Sequence, residues 1–152
     1  MILGSGSILD APTAALYIQL GSNFIVSPLL DEDIATEVNR RKILWSPGCG
    51  SVTEISKAES LGVERVKIFP GSQVGGPKFV ASLKGPMPWT SIMPTGGVYP
   101  SEANLTEWFK AEVTCVGMGS QLISLEIIRK KNYIKLEQDF RTRMTPQLHV
   151  IN

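Results

Sequence analysis

The chain has 152 residues, 15 Lys plus Arg against 14 Asp plus Glu, and a formal net charge of +1. That length suits one domain with a real core, yet it falls well short of the roughly 250 residues of a typical eight-fold β/α barrel. Near-neutral charge with no basic block argues against a nucleic-acid partner, and apolar runs such as Phe24 to Val26 are far too short to span a bilayer.

The first strand-like segment is Ile2 to Ile8, which carries a polar Gly4-Ser5-Gly6-Ser7 turn. Asp10 then stands ahead of a first-turn Pro12, followed by Ala15, Ile18 and Leu20 before Gly21, the pattern of a capped helix with a glycine stop. Phe24 to Pro28 is the second strand. Asp31-Glu32-Asp33 and Arg40-Arg41-Lys42 place acids at a helix start and cations at its end, matching the macrodipole. After the strand Ile43 to Pro47, Ser51-Val52-Thr53-Glu54 is a capping box, and Leu61-Gly62 ends that helix. The strand Arg65 to Pro70, the strand Thr90 to Pro94, a helix opened by Pro100-Ser101-Glu102 that carries Leu105, Trp108 and Phe109, and the strand Val113 to Gly119 complete the series. A last amphipathic helix is expected from Tyr133 to Met144, with Ile134, Leu136 and Phe140 as apolar positions and a frayed tail over 145–152.

The strand starts recur every 19 to 25 positions, which suggests one β/α unit used repeatedly. Such alternation predicts parallel strands joined by right-handed crossovers, in a barrel or a doubly wound sheet. Every strand ends in polar, Gly-rich or Pro-rich residues. A barrel would gather all of those ends at one mouth, where an open sheet would use a single switch point, so the barrel is preferred.

Lys67 lies in the apolar run Val66-Lys67-Ile68-Phe69-Pro70. Strand alternation turns Lys67 and Phe69 to the face opposite Val66 and Ile68, and an ammonium buried there without a counter-ion acquires a depressed pKa. A neutral lysine of that kind can form a Schiff base with a carbonyl. The turns Pro94-Thr95-Gly96-Gly97 and Gly117-Met118-Gly119-Ser120 follow the last two strands and suit an anion such as phosphate. Cys49 and Cys115 have neither CxxC spacing nor the density of a secreted scaffold. They read as reduced structural thiols, and with no charged n-region ahead of an apolar segment at the start, they point to a soluble cytoplasmic protein. His149, the single histidine, reads as a tail residue, and Trp45, Trp89 and Trp108 read as packing residues, with Trp89 partly exposed. No cluster has metal-ligand spacing.

Through these strand ends, taken in order from about Ile2 to Ile123, the sequence resembles the 2-keto-3-deoxy-6-phosphogluconate (KDPG) and 4-hydroxy-2-oxoglutarate (KHG) aldolase family of class I aldolases. The resemblance implies an α/β fold of the (β/α)8 TIM-barrel type over 1–144, here six units corresponding to barrel strands three to eight, and a cytoplasmic homotrimer. It implies cleavage of a phosphorylated 2-keto-3-deoxy sugar acid to pyruvate and glyceraldehyde 3-phosphate, with no cofactor, no nucleic acid and no membrane. It makes Lys67 the Schiff-base lysine. Phe69 becomes its aromatic neighbour, Thr95 the pyruvyl-side hydroxyl, and Gly96, Gly97, Gly119 and Ser120 the phosphate turns. Pro28 matches a pocket-wall proline, and Ser51 takes the place of a hydroxyl residue after barrel strand five. Ser7 stands where the family usually has threonine and is expected to keep its hydrogen bond. The family's proton-moving glutamate and carboxylate-binding arginine lie in earlier units that have no counterpart in these residues. The alternatives are a phosphate-binding partial barrel without catalysis or a truncated relic that folds only in an oligomer, and a phosphosugar lyase or isomerase that would leave Lys67 without a role.

Overall fold

A computed structural model describes residues 2–119, 123, 129–134 and 136–138. Among these, the strands are β1 (Gly4–Ser5), β2 (Phe24–Val26), β3 (Leu44–Ser46), β4 (Gly48–Cys49), β5 (Val66–Ile68) and β6 (Ile92–Pro94). The helices are α1 (Ala11–Gln19), α2 (Glu32–Arg41), α3 (Val52–Ser60), α4 (Gly76–Lys84) and α5 (Glu102–Lys110). All strand pairs are parallel, in two three-stranded sheets ordered β1-β2-β3 and β4-β5-β6. Only Pro47 separates β3 from β4, so one stretch of chain serves as the last strand of one sheet and the first of the other. Pro47 has no N–H to continue the ladder. Beyond β6, Thr114 N–H donates to the Ile92 carbonyl at 2.9 Å and Gly117 pairs with Thr95. The strand expected from Val113 to Gly119 is therefore reduced to a bridge.

Within each sheet every strand pairs with the next one in sequence, and the described residues contain no reversal of strand order. A doubly wound sheet requires such a reversal, so this order disfavours the competing architecture. Ile25, Ile34, Val38, Ile55, Val66, Ile68, Val80, Leu83, Ile92 and Trp108 are fully or almost fully buried where strands meet helices.

The helix signals hold because they are local. Asp10 Oδ1 accepts from Thr13 N–H at 2.7 Å and Asp31 Oδ1 from Ile34 N–H at 2.8 Å. Ser51 caps α3, and Glu54 reaches back to Gly50 N–H at 2.8 Å as well as to the Ser51 hydroxyl at 2.9 Å. Helix α4 has no counterpart in the sequence-based expectation. It starts at Gly75-Gly76-Pro77 without a side-chain cap, so the usual start signal is missing. In the expected C-terminal helix, 133, 134 and 136–138 are helical with Tyr133 and Ile134 exposed, while Phe140 and the tail 145–152, His149 included, lie outside the described residues.

Candidate active site

Lys67 is the middle residue of β5, flanked by Gly48 of β4 and Met93 of β6. All three residues of β5 are buried, and Lys67 is 5% exposed. Among the described residues its ammonium meets one carbonyl and one aromatic face. Nζ donates to the Ser27 carbonyl at 3.4 Å and lies 4.4 Å from the centroid of the Phe69 ring. A carbonyl and an aromatic face both favour the charged form, but neither replaces a carboxylate or bulk water. Burial outweighs them and lowers the Lys67 pKa from its ordinary 10.5.

The approach of β2 to this amine depends on Gly48. A Cβ added there would sit 2.3 Å from the Pro28 carbonyl oxygen, so only glycine lets the Ser27-Pro28 turn pass over β4. Pro28 thus packs its carbonyl against the backbone of Gly48. Ser27 is fully buried and is fixed twice more, by its N–H to the Ser46 carbonyl at 3.2 Å and by the Trp45 indole N–H donating to its Oγ at 2.7 Å. Sequence reading missed Ser27 and Gly48, because both matter only through contacts across strands. Trp45 carries a directed hydrogen bond in addition to the expected packing.

On the other side, the loops after β5 and β6 are laced together. Gly71 N–H donates to the Thr95 carbonyl at 2.8 Å and Ser72 N–H to the Gly96 carbonyl at 3.0 Å. Gly96 and Gly97 have φ of +87° and +80°, and a Cβ on Gly97 would lie 2.4 Å from that of Ser72. The Gly97 carbonyl accepts from Trp108 Nε1 at 3.4 Å and Asn104 Nδ2 at 3.3 Å, while the N–H groups of Gly96 and Gly97 make no backbone hydrogen bond among the described residues. Two adjacent N–H groups of this kind are suited to an anion. The Thr95 hydroxyl stands over Gly117, 2.6 Å from where a Cβ on that residue would be.

Gly119 is exposed, and its carbonyl accepts from Ile123 N–H at 3.0 Å. Ser120 lies outside the described residues. Ser7 is exposed after β1, and no hydrogen bond reaches its hydroxyl among the described residues. The Ser51 hydroxyl is occupied by the α3 cap. Ser7 and Pro28 follow β1 and β2, Phe69 follows β5, Thr95, Gly96 and Gly97 follow β6, and Gly119 follows the Gly117 bridge, while Lys67 is the middle residue of β5. The Cys49 thiol on the adjacent strand is pushed up to about 12, first by burial and then by Glu54, which keeps it a neutral packing group. Trp89 is 69% exposed, and its indole N–H donates to Glu59 at 3.3 Å.

The family described as "Aldolase: KDPG and KHG aldolase" matches residues 1–138. The chain belongs to this family. A 2-dehydro-3-deoxy-phosphogluconate aldolase of Pseudomonas aeruginosa is 30% identical to it over 137 residues, covering 90% of this chain and 61% of that protein. The KHG/KDPG aldolase of Escherichia coli K12 is 29% identical over 136 residues, covering 89% and 62%. The chain therefore spans about three-fifths of the length of these curated relatives. Among solved structures, a KDPG aldolase from Legionella pneumophila, with pyruvate captured at low pH as a covalent carbinolamine, superposes with a TM-score of 0.83 at 25% identity, over 91% of this chain and 66% of that one. The KDPG/KHG aldolase likeness covers the strands that carry Lys67, Thr95 and the glycine turns. Among the described residues no helix is long and apolar enough to cross a membrane.

Proposed function

We propose that this chain carries the Schiff-base centre of a class I aldolase acting on a phosphorylated 2-keto-3-deoxy sugar acid. The observation that carries the reading is Lys67: a buried strand lysine with no carboxylate partner among the described residues, beside Phe69 and on the strand whose following loop bonds to the Thr95-Gly96 turn. Neutral Nζ attacks the C2 carbonyl carbon to give a carbinolamine, which loses water to form a protonated imine. The C3–C4 bond then breaks. Its electron pair moves into the imine to leave an enamine, while the C4 hydroxyl gives up its proton as the aldehyde departs. Protonation at C3 and addition of water release pyruvate and regenerate the amine, so no metal or organic cofactor enters.

Phe69 keeps the imine dry, and Pro28 walls it on the β2 side. Thr95 and Ser7 supply hydroxyls to the pyruvyl end, and the N–H groups of Gly96, Gly97 and Gly119, with Ser120, receive the phosphate. With β3 and β4 counted as one strand and the bridged segment 113–119 as the last, the six strand segments are consecutive units of a β/α barrel of the TIM type, corresponding to strands three to eight, in a cytoplasmic homotrimer. The in-order parallel pairing and the free cysteines support these parts of the reading.

The test is incubation with pyruvate and borohydride followed by mass spectrometry. A reduced pyruvyl adduct on Lys67, absent from Lys67→Ala, is expected, and folded protein without it would overturn the chemistry. A second reading is favoured by one observation: burial is the cause of the Lys67 shift and no carboxylate among the described residues contributes to it, which leaves the C4 hydroxyl without a named general base. General acid–base help is worth about 10²–10⁴-fold. Turnover of the 152-residue chain is expected to be slower by that order than in an aldolase with such a base. Titration with a sugar phosphate separates the two readings, since binding without imine trapping marks a phosphate-binding partial barrel.

A further inference from the structure

The scheme above leaves two buried polar side chains beside Lys67 without a task, the Ser27 hydroxyl and the Trp45 indole, which are 0% and 4% exposed. The indole N–H reaches across the β2–β3 pair to Ser27 Oγ at 2.7 Å. The N–H of Ser27 is held by the Ser46 carbonyl, and Gly48 admits the turn that follows it. Three restraints therefore converge on one residue, and its remaining polar atom, the carbonyl oxygen, faces Nζ at 3.4 Å. That separation is at the long end of hydrogen bonding. A carboxylate at closer range would clamp the amine as an ammonium ion, whereas a distant neutral carbonyl orients it and lets it go.

Resting on the Schiff-base reading of Lys67, we propose that Trp45 and Ser27 are positioning residues. The indole N–H locks Ser27 so that its carbonyl holds Nζ in line for the incoming ketone and closes that side of the amine to water. Neither side chain touches substrate. Around Lys67, β4 contributes Gly48 and Cys49, β6 contributes Met93 and Pro94, and the β2 end contributes Ser27. Cys49 is the ionisable group of that set and stays neutral, so the pair acts on Lys67 through geometry and solvent access.

The experiment uses the full 152-residue chain and two readouts on Lys67 by mass spectrometry. One is the rate of borohydride trapping as pyruvate is varied. The other needs no imine: competitive labelling of amines by acetic anhydride across pH. In Trp45→Phe, trapping at saturating pyruvate is expected to fall about tenfold, equivalent to the loss of one buried hydrogen bond, with the half-saturating pyruvate concentration little changed. Its Lys67 labelling profile is expected to move to higher pH as water reaches the amine. Ser27→Ala should match it, Ser27→Thr should retain wild-type behaviour, and the Trp45→Phe/Ser27→Ala double variant should be no worse than either single change. Ile55→Val, on the buried face of α3, is the control for lost stability alone and should leave the labelling profile in place.

An unchanged labelling profile in both Trp45→Phe and Ser27→Ala, or losses that simply add in the double variant, would overturn the proposal. Absence of a pyruvate adduct in the wild type would instead overturn the aldolase reading, and the labelling arm would still decide whether the pair governs Lys67.

Discussion

Lys67 illustrates how a single charge is set by what surrounds it. Its ammonium is more costly in the fold than in the unfolded chain, where the pKa returns to about 10.5. Between the depressed value and 10.5 the unfolded chain holds more protons, so the penalty is full below the folded pKa and vanishes as pH rises through 10.5. Lys67→Met is therefore expected to abolish pyruvate trapping while raising stability at neutral pH. Urea denaturation at several pH values should show that gain shrinking as pH approaches 10.5. A gain that grew with pH would mean that the amine is not shielded from water.

At the scale of strands and helices, the site depends on close backbone approach. Gly48→Ala pushes a methyl group against the Pro28 carbonyl and is expected to cost about 1–3 kcal/mol, as overpacking does. It should also slow imine trapping, because the β2 end moves off Lys67. A variant that keeps both wild-type stability and wild-type trapping would show that this contact is slack. The α3 start gives a separate acid-side signature. Gly50 N–H, with help from Ser51, holds the Glu54 carboxyl below the usual carboxylate range against the opposing effect of burial. That contribution is complete above the ordinary value of 4.5 and is lost as pH falls through the depressed one. Ser51→Ala is expected to cost about 0.5–2 kcal/mol, and Glu54→Gln to cost less while flattening the melting temperature below pH 4.5.

These same elements explain what the sequence made legible. Caps at Asp10, Asp31 and Ser51 could be read because donor and acceptor lie within a few residues of each other, and Lys67 stood out as a charge in an apolar run. Helix α4 was hidden because glycine and proline open it where a capping side chain is usual. The Trp45–Ser27 link and the need for glycine at position 48 depend on the alignment of strands distant in sequence, which no local pattern records.

For the molecule as a whole, surface chemistry suggests association. Ile2, Leu3, Leu9, Leu16, Tyr17 and Leu20 are exposed on β1, α1 and their flanks, and β1 pairs only with β2 among the described residues. Apolar patches and unpaired strand edges recruit partners, and a net charge of +1 offers little repulsion against them. The 152-residue chain is expected to self-associate as its concentration rises, and Leu16→Lys with Leu20→Lys to reduce that without altering the circular dichroism spectrum. Sedimentation velocity of both forms checks it, and identical profiles would clear this face of any part in association.

The dipeptide Ser46-Pro47 joins the two sheets in a way that reaches the chemistry. The carbonyl of Ser46 receives Ser27 from one side, and the carbonyl of Pro47, one peptide later, receives the N–H of Lys67 from the other at 3.0 Å. The amine and its acceptor thus hang from adjacent carbonyls of one strand segment, each in a different ladder, and a single peptide unit gauges the gap between them. Changing the pucker or tilt of that unit would retune the reactive nitrogen while every side chain around it stayed as it is.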